Sequence, residues 1–280
     1  MNIMIDYSQR VIGMLLGSHC GEVAVEDLNE IKTDTKKSEN PEESLNPEDS
    51  SAPPQKTKTD LALEYPLTWQ KLGILKSLST EDIFLLDQAQ QYIDKDLTQD
   101  PNFGSLARVA PLAMMNLEDV KLKNIVESQT LMSHENPEAI LADWVFIKGL
   151  REALQGQSKT HVYETMIAEA EKKDAKLFNL FKKLPYMPWE EVRAQQSHCY
   201  NILGSAVWAL LNFHRFEESL LKMKEQGGIP SAMLTGALCG AYYSIEEIPE
   251  RWVDSLPLKN EILFEAESLI AWKGPVIRGS

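Results

Sequence analysis

Two Ser-His-Cys triplets contain the residue types best suited to metal chemistry, because histidine and cysteine are common zinc ligands. They occupy residues 18–20 and 197–199. Neighbouring residues on a helix point about 100° apart, so each triplet could supply at most one ligand to a shared site. Buried or half-buried structural side chains are therefore the favoured interpretation of both triplets, with zinc as the alternative.

Familiar catalytic signatures are otherwise missing from the sequence. It contains no HExxH, no P-loop, no GxSxG and no GxGxxG after a strand. The cysteines Cys20, Cys199 and Cys239 lie among apolar or small residues and form no CxxC pair. This usage predicts buried thiols in a reducing compartment.

Composition and charge narrow the class of protein. The chain has 280 residues, 43% of them hydrophobic, and 28 basic against 42 acidic side chains, a net charge of −14. Such a charge repels phosphate backbones, so we expect no nucleic-acid partner. No apolar run approaches the roughly 20 residues of a membrane span, and no signal peptide is visible. These features predict a cytoplasmic protein without a membrane partner. The length suits one domain or two, of which we predict one, over residues 1–280.

One stretch near the C-terminal end predicts the central helix of the fold. A Gly-Gly pair and Pro230 precede a run of small and apolar residues in which Ala232, Gly236 and Gly240 recur every fourth position. Proline is suited to the first turn of a helix, and a helix without charged residues is buried on all sides. We predict a buried helix over about residues 231–243, with its N-terminal mouth at residues 227–231.

A second stripe of small residues predicts a partner for that helix. Gly13, Gly17 and Gly21 also fall every four residues, within a helix predicted over residues 7–24. Two such thin faces allow two helices to pack closely. Residues 27–60, in contrast, are almost wholly polar and charged, which predicts a disordered insertion inside the domain.

The remaining sequence is helical in pattern, and no stretch shows convincing strand alternation. Asn136 and Pro137 predict the start of a helix that continues to Leu154, and residues 161–184 predict one charged helix. Residues 98–108, with proline, glycine and serine, predict a loop. The predicted fold is all-α, a compact multi-helix bundle around the central apolar helix.

Several local patterns, taken in order, resemble the ADP-ribosylglycohydrolase family. Each is weak alone, but together they extend from residue 10 to about residue 256, outside the insertion. They are the opening glycines of residues 13–22 (G-x-L-x-G-x-x-x-G-D in the family), residues 104–112 (G-S-x-x-R-x-A-P), residues 133–139 (T-H-x-x-P-x-A), residues 207–211, residues 216–220, residues 227–228, residues 236–243 and residues 248–252.

The resemblance implies an all-α fold with a cleft for ADP-ribose. In active members of the family, two magnesium ions in the cleft position or activate a water against the ribose C1″ carbon. Magnesium requires hard oxygen ligands in octahedral geometry. The family supplies them from a T-D-D-T motif and from a G-G-D-T-D-T motif at the mouth of the central helix.

This sequence departs from both metal motifs. After Gly227 and Gly228, the second motif has Ile-Pro-Ser-Ala at residues 229–232, and the first has Tyr-Pro-Leu-Thr at residues 65–68. Only Thr68 and Ser231 keep an oxygen, and two hydroxyls cannot hold two divalent cations. We therefore expect no cofactor and no metal site here, in contrast to the magnesium of active relatives.

Other cleft positions keep polar groups. Glu22 replaces the family's opening aspartate and is the candidate catalytic residue. The candidate ligand-binding residues, with ADP-ribose or an ADP-ribosylated protein as the expected partner, are Ser105, Arg108, His134, Gly227 and Gly228. Three of these residues also have a structural interpretation: Arg108 as an ion-pair partner, His134 as a helix N-terminal residue and Glu22 as a buried acid.

Three functions follow as hypotheses. The leading one is a binding or regulatory pseudoenzyme that kept the scaffold and lost its metal ligands. The second is an active hydrolase with a remodelled, metal-poor site that uses Glu22 and His134. The third is a helical scaffold without a small-molecule site. A cleft filled by side chains, between the helix at residues 7–24 and the helix at residues 227–243, would favour the scaffold.

Overall fold

A computed structural model describes residues 7–21, 104–131, 134–193, 198–256 and 259–271. Nearly all of these residues lie in helices, and no β-strand occurs within these ranges. The all-α prediction is thereby confirmed. No described helix is long and apolar enough to cross a membrane.

Twelve α-helices make up the described part of the chain, with three short 3₁₀ turns between them. The helices are α1 (residues 7–21), α2 (Gly104–Val109), α3 (Asp119–Leu131), α4 (Pro137–Leu154), α5 (Lys159–Glu171), α6 (Ala175–Lys183), α7 (Trp189–Arg193), α8 (Cys199–Asn212), α9 (Phe216–Gln226), α10 (Gly228–Tyr243), α11 (Glu250–Ser255) and α12 (Lys259–Ala271). The 3₁₀ turns are Ala110–Met114, Leu184–Tyr186 and Ile245–Glu247.

Helix α10 is the centre of the fold. Every residue from Ser231 to Ala241 is buried, eleven in succession. Helices α4, α8 and α9 pack around it. A helix enclosed on all sides needs small and apolar residues over its whole circumference, which is the composition of this stretch. The predicted central helix is confirmed.

Helices α1 and α10 pack backbone against backbone. A Cβ built on Gly236 would lie 1.9 Å from the carbonyl oxygen of Gly17, and one on Gly240 would lie 2.0 Å from that of Gly13. Because Gly13 meets Gly240 while Gly17 meets Gly236, the two helices run antiparallel. The predicted close packing of the two glycine stripes is confirmed, and this seam leaves no cleft between them.

The start of α4 also agrees with the prediction. The Asn136 side-chain oxygen accepts a hydrogen bond of 2.8 Å from the backbone N–H of Glu138, and Pro137 is the first helical residue. Asparagine before proline thus satisfies one free N–H and fixes the backbone for the first turn. The helix ends at Leu154, as predicted.

The predicted loop at residues 98–108 is wrong for its last part, because Gly104–Val109 is helix α2. Leu106 and Val109 are fully buried in it. The burial of this short apolar face outweighs the loop preference of the glycine and serine at its start.

The single helix predicted over residues 161–184 is two helices. Helix α5 ends at Glu171, and α6 begins at Ala175 after a turn. The Asp174 carboxylate accepts a hydrogen bond of 2.9 Å from the backbone N–H of Leu177. This N-cap starts a new helix, which the continuous charge pattern concealed.

The predicted insertion at residues 27–60 lies outside the described residues, as do Glu22 and the first-motif positions 65–68. The single-domain organisation over residues 1–280 stays a prediction.

Candidate functional site

The mouth of the central helix is the turn between α9 and α10. The N–H of Gly227 donates to the carbonyl of Met223 at 2.7 Å and closes α9. Gly228 then has φ of 78°, a backbone conformation that side-chain-bearing residues rarely adopt. The glycine pair therefore turns the chain from one helix directly into the next. Its ligand-binding role stays a prediction.

Ser231, one of the two remnant metal positions, faces the neighbouring helix α8. It is fully buried, and its Oγ lies 3.2 Å from the Oγ of Ser205. The Ser205 hydroxyl donates its one hydrogen to the carbonyl of Asn201 at 2.7 Å, so in the serine pair Ser231 is the donor. The hydroxyl hydrogen of Ser231 is thus used in packing α10 against α8.

The described residues of this mouth do not fit a pair of magnesium ions. Ile229, Pro230 and Ala232 carry no side-chain oxygen, and Ser231 offers a neutral hydroxyl that already bonds to Ser205. Two divalent cations need several carboxylates to balance their charge. Throughout the described ranges, no three His, Cys, Asp or Glu side chains cluster as metal ligands would. Thr68, the other remnant position, lies outside those ranges.

Ser105 is a second predicted site residue with defined surroundings. It lies in α2, a helix that packs on both α4 and α10. Its side chain is fully buried, and its Oγ has no hydrogen-bond partner among the described residues. An unpaired buried hydroxyl costs about 1–3 kcal/mol, so a bound group that paired it would be favoured. Arg108 lies in the same helix, but its side chain is outside the description.

His134 lies between α3 and α4 and is buried. Its backbone N–H donates to the carbonyl of Thr130 at 2.9 Å. The Thr130 hydroxyl in turn lies 2.6 Å from an oxygen of Asp143, the only fully buried carboxylate of the described residues. No motif in the sequence marks Asp143. Its one signal is that it is an acidic residue among the apolar residues of α4.

In the described part of the fold, the first Ser-His-Cys triplet has a structural role. The Nδ1 of His19 lies 2.8 Å from the Leu15 carbonyl oxygen and donates to it, because a carbonyl can only accept. Burial lowers the pKa of His19, so the ring stays neutral. Burial also raises the pKa of the Cys20 thiol to about 12. A protonated thiol inside the core is a packing group, as the structural interpretation expected.

The second triplet caps helix α8 through His198. Its Nδ1 accepts a hydrogen bond of 3.2 Å from the backbone N–H of Tyr200, so the ring hydrogen is on Nε2. Nε2 then donates to the Glu138 carboxylate at 2.6 Å, and Lys176 donates to its other oxygen at 3.0 Å. Burial alone would raise the pKa of Glu138, but the hydrogen bonds from Lys176 and His198 outweigh it and lower that pKa.

A groove of about 840 Å³ lies beside this cap and contains none of the predicted site residues. We call it the α6 groove, because α6 forms one wall and the first turns of α8 form the other. It is lined by Lys176, Asn179, Leu180, Lys183, Leu184, Met187, Glu191, Val192, His198, Tyr200, Asn201 and Gly204. The sequence does not reveal this groove, since its two walls are separated in the chain and no motif marks either.

Three comparisons with known proteins all find similarity to ADP-ribosylglycohydrolases. The family model described as ADP-ribosylglycohydrolase matches residues 60–272. A relative from Acanthamoeba polyphaga mimivirus, provisionally named an ADP-ribosyl glycohydrolase, is 22% identical across 55% of each chain, so this chain spans about half the length of that curated relative. A solved structure titled an ADP-ribosylglycohydrolase-related protein complex has 21% identity and a TM-score of 0.68, over 95% of this chain and 98% of that one.

Proposed function

Because the chain belongs to the ADP-ribosylglycohydrolase family, we propose that it is a member that has lost the dimetal hydrolase site. In this proposal it acts as a binding or regulatory protein, and its partner is ADP-ribose or an ADP-ribosylated protein. Support for the loss of the metal site comes from the mouth of the central helix, and support for ligand binding comes from α2.

The observation that carries the proposal is the composition and packing of residues 229–232. The family's acidic motif is replaced here by Ile-Pro-Ser-Ala, and the hydroxyl of Ser231 donates to Ser205 inside the protein. A cation at this mouth would have to break that pair and would gain one neutral oxygen in return. Without carboxylates the mouth cannot balance the charge of a divalent ion.

Support for ligand binding comes from Ser105. Its buried hydroxyl has no hydrogen-bond partner in the described part of the chain, although α2 packs directly on the central helix. Buried hydroxyls are usually paired, and an unpaired one often marks a position that a ligand or water completes. The oxygen-rich phosphate and ribose groups of ADP-ribose could accept its hydrogen.

Calorimetric titration with ADP-ribose, with and without magnesium, tests both parts. We expect one molecule to bind per chain with an affinity that magnesium does not change. Replacing Ser105 by alanine should weaken binding about tenfold, the usual effect of one lost hydrogen bond to a charged ligand. The fold should be preserved in that variant, because the hydroxyl removed has no hydrogen-bond partner among the described residues. Ser128→Ala, on the exposed surface of α3, is the matched control.

Hydrolysis by the pure protein would contradict the pseudoenzyme proposal. Magnesium-dependent release of ADP-ribose from an ADP-ribosylated arginine or serine substrate by the pure protein would exclude it. The alternative, an active hydrolase with a metal-poor site, depends on Glu22, which lies outside the described residues. If turnover were found and Glu22→Gln left it unchanged, that alternative would be excluded as well.

A helical scaffold is the second candidate, and the closed seam between α1 and α10 favours it. The backbones touch at Gly17 and Gly236, so no ligand can enter there. The same titration separates the two candidates, because a scaffold without a small-molecule site should give no heat with ADP-ribose.

A further inference from the structure

We propose that a pocket at the start of helix α1 binds a small carboxylate with an apolar tail. The pocket lies between the start of α1, the end of α4 and the last turn of α12, and we call it the α4–α12 pocket. Arg151 and Tyr7 would hold the carboxylate, while the tail would lie along the apolar lining. The inference does not depend on the proposed function, because the pocket shares no residue with the mouth of the central helix or with α2.

The α4–α12 pocket has the size and the lining of a small-molecule site. Its volume is about 460 Å³, and its apolar lining consists of Ala113, Met114, Met115, Leu154, Leu269 and Ile270. Pockets of about 300 to 1,000 Å³ with mostly apolar walls and a few polar groups are typical of such sites. The two methionines make the wall adaptable in shape, because their side chains are unbranched and flexible. The lining therefore favours a ligand with an apolar tail.

The polar part of the lining contains one positive charge and no negative charge. Arg151 is the only charged residue among the described residues that line the pocket, and Asn116 and Gln155 add neutral, exposed amides. This matters in a chain whose net charge is −14, because an acidic side chain in the wall would repel an anion. The pocket therefore favours an anionic ligand over a cationic one.

The guanidinium of Arg151 retains donors and charge for a ligand. Within the described ranges it donates to Asp119 at 3.1 Å and to the Leu117 carbonyl at 3.4 Å, which uses two of its five N–H groups. The other oxygen of Asp119 accepts a hydrogen bond of 2.8 Å from Lys148. One carboxylate is thus shared by two cations, and the three side chains together keep a positive charge. A ligand carboxylate can accept from the remaining N–H groups, a pairing that guanidinium groups favour.

Tyr7 places a hydroxyl in the electrostatic field of this arginine. It lines the same pocket and is half-buried. Burial raises the pKa of Tyr7, and the positive charge of Arg151 opposes that rise. The hydroxyl therefore lies near the guanidinium and stays protonated at neutral pH, so it can donate a hydrogen bond. A hydroxyl and a guanidinium close together suit the two oxygens of a carboxylate.

The α4–α12 pocket is far from the mouth of the central helix. Arg10, in the first turn of α1, donates to the carbonyls of Ala241 and Tyr242, so α1 begins at the C-terminal end of α10. The mouth is at the other end, at Gly228, about 20 Å away along the helix axis. ADP-ribose at the mouth and a carboxylate in the pocket should therefore bind without competing.

Octanoate and 1-octanol are suitable probes, because they share an alkyl chain and only octanoate is charged at neutral pH. In calorimetry we expect one octanoate to bind saturably per chain, about tenfold or more tightly than 1-octanol. Hexanoate and butanoate should bind progressively more weakly, by about fourfold for each CH₂ group removed. Saturating ADP-ribose should leave octanoate binding unchanged.

Three variants distinguish the effect of the charge from that of the apolar lining. Arg151→Gln should weaken octanoate binding about tenfold or more, and unchanged binding of 1-octanol would show that the pocket still forms. Asp119→Asn removes the internal competitor for the guanidinium, so octanoate should bind several-fold more tightly. Arg193→Gln changes an exposed arginine that does not line the pocket, and it should alter neither affinity.

The inference is overturned if octanoate does not bind saturably or if 1-octanol binds equally tightly. It is also overturned if Arg151→Gln keeps the wild-type affinity for octanoate, or if Asp119→Asn fails to increase that affinity. Displacement of octanoate by ADP-ribose would place the ligand at the mouth and would overturn it as well. The proposed function is tested separately, because its titration uses ADP-ribose and the variant Ser105→Ala.

Discussion

At the residue scale, the pair of hydrogen bonds on Glu138 predicts a dependence of stability on pH. Glu138 has a folded-state pKa below its usual 4.5, owing to bonds from Lys176 and His198 that overcome the effect of burial. The unfolded chain therefore takes up this proton first as the pH falls. The stabilisation is complete above about pH 4.5 and is lost as the pH drops through the lower folded pKa.

Replacing Glu138 by glutamine tests this dependence. The difference in unfolding free energy between wild type and Glu138→Gln should be largest near neutral pH and shrink below about pH 4.5. Urea denaturation at several pH values measures it. Glu190→Gln is the control, since Glu190 is exposed and has no ion pair in the described ranges. A difference that stays constant down to pH 3 would contradict the assignment of these hydrogen bonds.

Single residues were the least predictable feature from sequence. Asn136 could be identified as a cap because its partner is two residues away, and a local pattern encodes it. The hydrogen bond from His198 to Glu138 could not be identified, because the two residues are 60 positions apart and the Ser-His-Cys triplet drew attention to metals instead. Likewise, nothing local distinguishes Ser231, whose partner Ser205 lies in another helix. Side chains joined by tertiary contacts become recognisable only once their helices are placed.

At the element scale, the seam between α1 and α10 predicts unequal costs for two glycine substitutions. A methyl group on Gly236 would lie 1.9 Å from the backbone oxygen of Gly17, so the helices would have to separate. We expect Gly236→Ala to destabilise the protein by about 3 kcal/mol, the upper part of the range for overpacked cores. Chemical denaturation measures this loss.

Gly204→Ala is the matched control, also a glycine within a buried helix. There the nearest atom to a new Cβ is a methyl group of Leu180 at 3.3 Å, at the end of a flexible side chain. The better helix propensity of alanine, about 1 kcal/mol, should offset this small contact, so the net change should stay within about 1 kcal/mol. Equal effects of the two substitutions would show that the seam is looser than its geometry indicates.

Helices were largely predictable because their signals are local and periodic. The four-residue spacing of Gly13 and Gly17, and of Gly236 and Gly240, was sufficient to predict that two particular helices touch. The errors fell where tertiary burial overrides local preference. Helix α2 forms in a stretch rich in loop residues, and the Asp174 cap divides what the charge pattern presented as one helix.

At the scale of the whole molecule, similarity to known proteins establishes the fold and the family. A family match over residues 60–272 and a structural neighbour of TM-score 0.68 agree with an all-α architecture. Neither concerns chemistry, because a fold can be kept after its reaction is lost. The mouth of the central helix illustrates the difference: its glycine turn positions α10, whereas residues 229–232 offer a single neutral oxygen.

The loss of the dimetal site can be tested on the intact chain through the effect of magnesium on its stability. A ligand that binds only the folded state at a hundred times its Kd raises the unfolding free energy by about 2.7 kcal/mol. A retained dimetal site with a Kd near 0.1 mM would thus give a clear rise in melting temperature at about 10 mM magnesium. We expect none beyond that of sodium chloride at matched ionic strength, which also controls for screening of the −14 net charge.

The variant Ser231→Asp provides a second test of metal binding. It restores one carboxylate of the family motif at a fully buried position beside Ser205. A lone buried carboxylate should destabilise the fold by several kcal/mol, and magnesium should not recover the loss, because the neighbouring positions 229, 230 and 232 supply no further ligand. Recovery by magnesium would mean that ligands elsewhere in the chain still form half of a metal site, and the pseudoenzyme proposal would then be wrong.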